Sequence, residues 1–405
     1  PSSRRCAKPT FTKDKTDFHR TAFRGHSHEC RLKFANIGHH ECSVSIEVNP
    51  MGKVTYKSAG VDLDLYRQAM SRIPQLLQKT LTPRVVDLPL GFAGLFRLDF
   101  PWPLFARKYN DPILVACTDG VGSKVQVAAK AKKFDTVGID LVAMSVNDML
   151  VMGAEPLFFL DYVALHKLEP GLVAQMVKGV AAGCRQADCA LLGGETAEMP
   201  DTYRKGDFDM AGFAVGVVER NRILTGKQVR PGDCILGLAS SGLHSNGYAL
   251  ARNICFKRAK LKLTDTIDEL SGQTLGEALL APTKIYVRPI LKLLHQYKVK
   301  RVVHAMAHIT GAGLPGNVPR VLPQDCNAVI RKSSWPRPKI FNFLQKTGPV
   351  REEEMFDVFN MGIGYVVIVA KDFADAAARL LIAEGEKVYN IGKITQGTGR
   401  VVLKD

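Results

Sequence analysis

The feature that most constrains the fold is the alternation of short apolar runs with helical patterns from residue 112 onward. Such alternation is typical of mixed α/β proteins. The first series of predicted strands comprises residues 113–118, 157–164, 189–192 and 210–218, and its predicted helices comprise residues 125–132, 140–151 and 171–187. A second series begins near residues 234–239, continues through a helix at 283–295 and a strand at 302–307, and ends with segments 362–370, 372–384 and 401–403.

The two series predict two domains that follow a leader. A chain of 405 residues, 46% of them hydrophobic, is long enough to bury two ordinary cores. The polar stretch 219–232 is the predicted boundary, which gives an N-terminal domain over residues 51–219 and a C-terminal domain over residues 220–405. Residues 1–50 have little apolar periodicity and hold five of the ten histidines. We therefore expect residues 1–50 to be a disordered leader.

Charge and cysteine content restrict the partners and the compartment. The net charge of +16 would suit a polyanion, but the basic residues interleave with acidic ones and lack an aromatic stacking pattern, which disfavours nucleic acid. Nine scattered cysteines without a CxxC pair indicate reduced thiols and a cytoplasmic location. The longest apolar runs, such as residues 157–160 and 362–370, are shorter than the roughly 20 residues of a membrane helix.

A glycine-containing loop follows the first predicted strand, in the order Asp119-Gly120-Val121-Gly122-Ser123-Lys124. Its glycines permit a ligand to approach the backbone, Asp119 offers oxygen to a cation such as Mg²⁺, and Lys124 can neutralise phosphate charge. The loop is not a Walker motif. Taken alone, it also fits an ordinary glycine turn.

The helix predicted after this loop carries two carboxylates on one face. Asp140, Met144 and Asp148 recur at i, i+4 and i+8, with Asn147 beside them. At about 1.5 Å per residue the two carboxylates lie about 12 Å apart, which suits a metal-bound triphosphate chain better than one ion. A solvated helix edge is the alternative interpretation.

Two further polar segments follow predicted strands. Glu195 and Thr196 lie in the segment GGETAEMP, which we expect at a strand end where α/β proteins bind ligands. His244 lies in SSGLHSNGY, between a strand and a helix whose N-terminus can hold phosphate. His244 can exchange a proton with a reacting group or make a structural hydrogen bond. The loops HITGAG at 308–313 and NMGIG at 360–364 have the same character.

Together and in this order, these segments resemble the phosphoribosylformylglycinamidine cyclo-ligase (aminoimidazole ribonucleotide synthetase) family over residues 56–405. The matching segments are YKSAGVD at 56–62, DGVGSK at 119–124, GIDLVAMSVND at 138–148, GAEPLFFLDY at 153–162, GGETAEMP at 193–200, SSGLHSNGY at 240–248, APTKIYV at 281–287 and HITGAG at 308–313. The resemblance implies an α/β, two-domain subunit whose N-terminal domains pair into a dimeric β-barrel, with ATP sites near the subunit interface. It also implies ATP- and Mg²⁺-dependent cyclisation of formylglycinamidine ribonucleotide to aminoimidazole ribonucleotide in purine biosynthesis.

The resemblance implies a role for each matching residue. The implied metal ligands are Asp119, Asp140 and Asp148, and the implied catalytic residues are Lys124 and His244. The implied ATP and phosphate contacts, besides Asp119, are Lys57, Gly91, Phe92, Gly94, Gly120, Gly122, Ser123 and Asn147. The implied substrate contacts are Ser245 and Asn246, and the GGETAEMP segment adds Glu195, a candidate ligand for a metal or a hydroxyl, and Thr196 as further candidate substrate contacts. The chain departs from the family pattern at Leu90 and Ala312, where glycine is frequent, and at Ser123, which keeps the hydroxyl of the usual threonine.

Other functions remain open on the sequence. Selenophosphate synthetase and thiamine-phosphate kinase use ATP through similar acidic loops, although the former requires a reactive cysteine or selenocysteine that residues 91–94 lack. A non-catalytic nucleotide-binding protein is the alternative of another class. The three aspartates and Lys124 argue for retained catalysis.

Overall fold

The structure, a computed structural model, describes residues 63–86, 94–98, 109–297 and 299–405. All of them belong to one compact unit, Val54–Asp405. The predicted leader, residues 1–50, lies outside the described residues. Among the described helices, none is both long and apolar enough to cross a membrane.

The first part of the described chain forms an open sheet covered by helices. Its elements are α1 (Leu63–Met70), α2 (Ile73–Gln78), β1 (Val85–Val86), β2 (Leu95–Phe96), β3 (Pro112–Gly120), α3 (Val125–Ala131), α4 (Val137–Val151), β4 (Glu155–Leu165), α5 (Pro170–Gln186), β5 (Ala190–Glu198) and β6 (Phe208–Glu219). The sheet has the order β3-β6-β4-β5, in which only β4 and β5 are parallel. Within the described residues this sheet does not close into a barrel.

Helices α4 and α5 cover one face of this sheet and cross each other at very short range. An added Cβ on Gly179 would lie 2.2 Å from the Asp135 carbonyl oxygen, and one on Gly138 would lie 2.3 Å from the Val180 nitrogen. Glycines are therefore required where the two helices meet backbone to backbone. This contact fixes α4, which carries Asp140, Asn147 and Asp148, against the sheet.

Part of the opposite face of the same sheet is exposed and apolar. Side chains alternate between the faces of a strand, and those on this face include Leu114, Tyr162 and Phe213, which are 59%, 40% and 41% exposed. These residues lie on β3, β4 and β6. We call the surface formed by Leu114, Tyr162 and Phe213 the open face.

The second part contains a six-stranded sheet with the order β10-β12-β7-β13-β11-β14. Its elements are β7 (Cys234–Ala239), α6 (Tyr248–Arg252), β8 (Thr266–Ile267), β9 (Gln273–Thr274), α7 (Leu275–Leu280), α8 (Val287–Gln296), β10 (Val303–His308), α9 (Gly313–Asn317), β11 (Cys326–Arg331), α10 (Lys339–Thr347), α11 (Glu352–Val358), β12 (Ile363–Val369), α12 (Ala374–Ala383), β13 (Val388–Gln396) and β14 (Val401–Lys404). Every residue of β12 is buried, as expected for a central strand. The two sheets lie on either side of the predicted domain boundary, which stays a prediction.

Two local predictions were wrong. The helix predicted over 283–295 begins only at Val287, and residues 281–286 are irregular. The strand predicted over 189–192 continues to Glu198, so Glu195 and Thr196 lie inside β5 and not after a strand end. An added Cβ on Gly194 would lie 2.4 Å from Asp161 Oδ1, so this glycine makes room for a neighbouring carboxyl and does not mark a turn.

Candidate functional site

A pocket of about 420 Å³ lies where the two sheets' loops meet. It is formed by the end of β3 and the following loop, by α4, by the start of β6, and by loops that follow β7 and β10. Its lining residues are Asp119, Gly120, Val121, Gly122, Met144, Asp148, Asp209, Ser245, Asn246 and Thr310. A larger cavity of about 820 Å³, lined by residues such as Tyr109, Val217 and Tyr297, contains none of the predicted site residues. The smaller pocket is therefore the candidate site.

Two of the predicted metal ligands, Asp119 and Asp148, line this pocket. Burial raises the pKa of the Asp119 carboxyl, the Gly120 N–H bonded to Asp119 Oδ1 at 2.7 Å opposes the rise, and the charge of Asp148 adds to it. Asp148 Oδ1 lies 2.7 Å from His308 Nδ1 while the Asp148 side chain stays 44% exposed. A cation bound between Asp119 and Asp148 would relieve this unfavourable proximity of two carboxylates.

The carboxylates can supply only part of a metal's coordination. Among the described residues, no three His, Cys, Asp or Glu side chains lie close enough to hold a metal ion by themselves. Mg²⁺ usually takes one or two carboxylates and completes its shell with water and substrate phosphates. The pocket therefore fits a metal that arrives with a nucleotide, and Asp119 and Asp148 are the residues that would hold it.

The glycine loop forms one wall of the pocket through its backbone. Gly122 has φ +70°, a left-handed conformation that favours glycine, and an added Cβ there would lie 4.0 Å from the Ser245 carbonyl oxygen. The wall carrying Ser245 and Asn246 thus faces the glycine loop at close range. Ser123, although predicted as a phosphate contact, is not among the lining residues.

Lys124 and Asp140 are not brought to the pocket. Both side chains are fully buried, and Lys124 Nζ lies 2.9 Å from Asp140 Oδ1 and 2.8 Å from Oδ2. Lys124 Nζ also donates to the carbonyl oxygens of His244 and Ala281, at 3.0 and 2.7 Å. Since an ammonium has three donors, no N–H of Lys124 is left for a phosphate in this arrangement.

Asn147 is likewise buried and bonded to protein. Its Oδ1 accepts the N–H of Tyr286 at 3.0 Å, and its Nδ2 donates to the Lys284 carbonyl at 2.8 Å. The face of α4 that was predicted to bind along a triphosphate therefore has two parts with different surroundings. Met144 and Asp148 reach the pocket, whereas Asp140 and Asn147 contact residues 281–286.

His244 is placed as a buried, neutral side chain. Burial lowers the pKa of its imidazole well below the usual value, and the nearby His308 and Lys124 lower it further. Its Nε2 accepts the N–H of Ser241 at 3.2 Å, and its backbone has φ +61°. The ring thus stabilises a strained loop, and this loop presents Ser245 and Asn246 to the pocket.

The remaining predicted residues lie elsewhere or outside the described residues. Glu195 is exposed on β5 and Thr196 is buried there, and neither lines the pocket. Gly94 lies against Leu192, because an added Cβ would be 2.4 Å from Leu192 Cγ. The predicted nucleotide contacts Lys57, Gly91 and Phe92 are outside the described residues.

Sequence analysis did not identify Asp209, Thr310 and His308 as site residues. Asp209 occupies the second position of β6, and the pairing of Gly120 with Ala211 brings the start of β6 beside the end of β3. Thr310 and His308 belong to the HITGAG segment, whose polar members were not singled out. In that segment Ala312 has φ +69°, so an alanine holds the conformation that glycine adopts more easily, at a cost of about 1–2 kcal/mol.

Comparison with protein families matches almost the whole described chain. Residues 107–218 match the model described as "AIR synthase related protein, N-terminal domain", and residues 230–404 match "AIR synthase related protein, C-terminal domain". These matches support a two-domain α/β fold.

Curated relatives are similar over nearly their full length. The chain is 49% identical over 355 residues to phosphoribosylformylglycinamidine cyclo-ligase of Carboxydothermus hydrogenoformans, covering 88% of this chain and 100% of the relative. It is 51% identical over 351 residues to the protein of the same name from Anaeromyxobacter sp. strain Fw109-5, covering 87% and 98%.

Solved structures of lower identity share the fold. Thiamine-monophosphate kinase from Stenotrophomonas maltophilia aligns with a TM-score of 0.61 at 20% identity, covering 83% of this chain and 96% of that one. The hydrogenase maturation protein HypE in complex with ATP aligns with a TM-score of 0.56 at 18% identity, covering 82% and 90%. At these identities the likeness concerns the fold alone.

Proposed function

The chain belongs to the phosphoribosylformylglycinamidine cyclo-ligase family, and we propose that its reaction takes place in the pocket lined by Asp119, Asp148 and Asp209. It is an ATP-dependent ligase of purine biosynthesis that cyclises formylglycinamidine ribonucleotide to aminoimidazole ribonucleotide, ADP and phosphate. The observation that carries this conclusion is the 49–51% identity to enzymes of that name along 98–100% of their length. The pocket supplies the geometry in which the chemistry is placed.

The reaction has two steps that the pocket must hold together. The γ-phosphoryl group of ATP passes to the formyl oxygen of the substrate, which turns a poor leaving group into a phosphate ester. An amidine nitrogen of the same molecule then attacks the activated carbon, loses its proton, and expels phosphate as the ring closes. Because the attack is intramolecular, the protein's main task is to hold the chain of atoms in a productive conformation.

The nucleotide side of the pocket is formed by the glycine loop and the carboxylates. The backbone of Gly120 and Gly122 faces the space where phosphates would lie, and Asp119 and Asp148 offer oxygens for Mg²⁺. When bound, Mg²⁺ supplies charge neutralisation for phosphoryl transfer. Asp209 adds a third carboxylate for orienting water or a hydroxyl of the substrate.

The substrate side is formed by Ser245, Asn246 and Thr310. All three line the same pocket, and an added Cβ on Gly122 of the glycine loop would lie 4.0 Å from the Ser245 carbonyl oxygen. His244 keeps this wall in place through Ser241. A ribonucleotide bound at these three residues would have its acceptor oxygen opposite the phosphate end of ATP, as phosphoryl transfer requires.

The open face supports a homodimer. Leu114, Tyr162 and Phe213 form an exposed apolar surface on a sheet, and such surfaces are unusual on a monomer unless they bind something. Pairing two open faces would cover both sheets and form the barrel that the family resemblance implies. The cytoplasmic location inferred from the cysteines also stays a prediction, as do the nucleotide contacts of Lys57, Gly91 and Phe92.

The proposed function is tested by ADP release from Mg²⁺–ATP with and without formylglycinamidine ribonucleotide, together with detection of the aminoimidazole product. We expect ADP and product to appear in equal amounts and only when the substrate is present. ADP release without product would contradict the proposal, and so would ATP binding without turnover.

The Asp119→Asn variant tests whether the chemistry takes place in the pocket. Replacing the carboxylate by an amide keeps the shape but removes a metal ligand, so substrate-dependent ADP release should fall by at least about 100-fold with the fold unchanged by circular dichroism. Exposed Asp201, on a turn outside the pocket, provides the control in the form of Asp201→Asn. Wild-type turnover in Asp119→Asn would remove Asp119 from the site.

A further inference from the structure

Residues 281–286 are held by side chains from the other sheet's elements. They connect α7 to α8 without regular structure, so their backbone groups need partners from elsewhere. Lys124, Asp140 and Asn147 together make five hydrogen bonds with this segment. We call residues 281–286 the connecting segment.

Asp140 makes the shortest of these bonds. Its Oδ1 accepts both the N–H and the hydroxyl of Thr283, each at 2.6 Å. Thr283 Oγ1 also lies 3.2 Å from Ser245 Oγ. A continuous chain of contacts therefore runs from Asp140 through Thr283 to Ser245, which lines the pocket.

Lys124 acts on the same wall from a second point. Its Nζ donates to the His244 carbonyl, next to Ser245, and to the Ala281 carbonyl in the connecting segment. The Ser241 hydroxyl donates to the Pro282 carbonyl at 2.6 Å, and this bond is a further link between the loop after β7 and the connecting segment. The loop that carries Ser245 is thus fixed relative to the glycine loop through one buried ion pair.

A buried ion pair needs an explanation other than stability. Desolvating two charges costs several kcal/mol, and apolar residues of similar volume are often no less stable. Here both partners are completely buried, yet the pair and its hydrogen bonds specify where one pocket wall sits against the other. We therefore explain the buried ion pair by its effect on the geometry of the pocket and not by a gain in stability.

We propose that the Lys124–Asp140 ion pair and Thr283 are positioning residues, which place Ser245 and Asn246 for the substrate and do not contact the nucleotide. The proposal rests on the proposed function for the identity of the substrate. It assigns to Lys124 and Asp140 a task different from the phosphate and metal contacts implied by the family resemblance.

The first test changes Thr283, which is not among the residues that line the pocket. Thr283→Val keeps the shape and the backbone bond to Asp140 but removes the hydroxyl that links Asp140 to Ser245. Losing one such hydrogen bond should raise the KM for formylglycinamidine ribonucleotide by about 3- to 10-fold, with the dissociation constant of a non-hydrolysable ATP analogue within about twofold of wild type. Thr283→Ser, which restores the hydroxyl, should restore the KM.

Thr80 offers a matched control. It is a buried threonine whose hydroxyl donates to the Leu77 carbonyl, where that of Thr283 donates to a carboxylate, and accepts the N–H of Leu191. Thr80→Val should lower stability by a similar amount and leave the KM unchanged. An equal KM effect in Thr80→Val and Thr283→Val would show a general loss of stability and overturn the proposal.

The second test removes both charges of the pair together, since removing one would leave the other buried without a partner. Lys124→Met combined with Asp140→Leu should retain affinity for the ATP analogue and raise the KM for the ribonucleotide. Nucleotide affinity that falls as far as substrate affinity would place Lys124 or Asp140 at the phosphates and overturn the proposal.

Hydrogen exchange separates this proposal from the proposed function. Amides of residues 240–247 should exchange at least about threefold faster in Thr283→Val than in wild type and Thr283→Ser, without any substrate present. Unchanged exchange together with unchanged KM would refute the positioning role. Absence of substrate-dependent ADP release in the wild type would count against the proposed function only, because the exchange measurement needs no turnover.

Discussion

At the scale of single residues, Asp161 is a buried carboxyl whose protonation is linked to the stability of the fold. It lies on β4 with its carboxyl over Gly194, and burial raises its pKa from the ordinary aspartate value of 3.8 to about 7. The folded protein therefore binds more protons than the unfolded chain between these values, so stability falls as pH rises from about 4 to about 7. The loss is about 4 kcal/mol at most.

Asp161→Asn removes this titration. We expect the free energy of unfolding, measured with urea at pH 4.5, 6 and 8, to depend less on pH in the variant than in the wild type. Asp201→Asn, on an exposed turn, should keep the wild-type dependence. Identical pH profiles for Asp161→Asn and the wild type would mean that Asp161 ionises at its ordinary pKa.

Some residues that single-residue patterns singled out lie together in the structure, although their roles stay predictions. Asp119 and Asp148, with Ser245 and Asn246, come from separate motifs and line one pocket. Asp209 was missed because it stands in an ordinary strand, and only the pairing of β6 with β3 brings it to the pocket.

Asp140 was misplaced for a different reason. Helical periodicity correctly puts it on the face of Asp148, but periodicity does not show what packs against each turn of that face. In the structure the connecting segment covers the turn that carries Asp140, and the pocket begins one turn further on, at Met144. Predicting this division required knowledge of contacts between residues more than 100 positions apart.

At the scale of elements, the crossing of α4 and α5 determines where the site residues stand. An added Cβ on Gly179 would lie 2.2 Å from the Asp135 carbonyl and 3.0 Å from Gly138 Cα, and both neighbours are backbone. Gly179→Ala should therefore destabilise the protein by about 1–3 kcal/mol despite the higher helix propensity of alanine. Urea denaturation measures the change.

Gly171 on the same helix is the control. An added Cβ there would meet nothing within 4 Å, so Gly171→Ala should leave stability unchanged or raise it by up to about 1 kcal/mol. If both alanines had the same effect, helix propensity and not the crossing would control stability at Gly179.

Elements were predicted best where apolar residues dominate. The strand predicted over 113–118 is observed as β3, Pro112–Gly120, and the helix over 171–187 is observed as α5, Pro170–Gln186. A segment of mixed composition was not predicted. Strand β13, Val388–Gln396, was missed because Asn390, Gly392 and Lys393 interrupt its apolar pattern. Strand pairing with β7 and β11 stabilises that sequence as a strand, and pairing is not a local property.

At the scale of the whole molecule, the open face lies beside the candidate pocket. Asp209 and Phe213 both belong to β6 and are separated by an even number of residues, so their side chains lie on the same face of the sheet. A second subunit seated on Phe213 would therefore come close to the pocket that Asp209 lines. Dimerisation and turnover are expected to be linked for this reason.

Phe213→Glu tests that link by placing a charge in the middle of the open face. Burying an unpaired carboxylate in an interface is unfavourable, so the variant should sediment as a monomer while the wild type sediments as a dimer, and its turnover should fall with dissociation. The control is Ile382→Glu, because Ile382 is an apolar residue of α12 that is 53% exposed and lies outside the open face. Ile382→Glu should leave both mass and turnover unchanged. A monomeric wild type with full activity would show that the open face has another role, and a dimeric Phe213→Glu would place the interface elsewhere on the molecule.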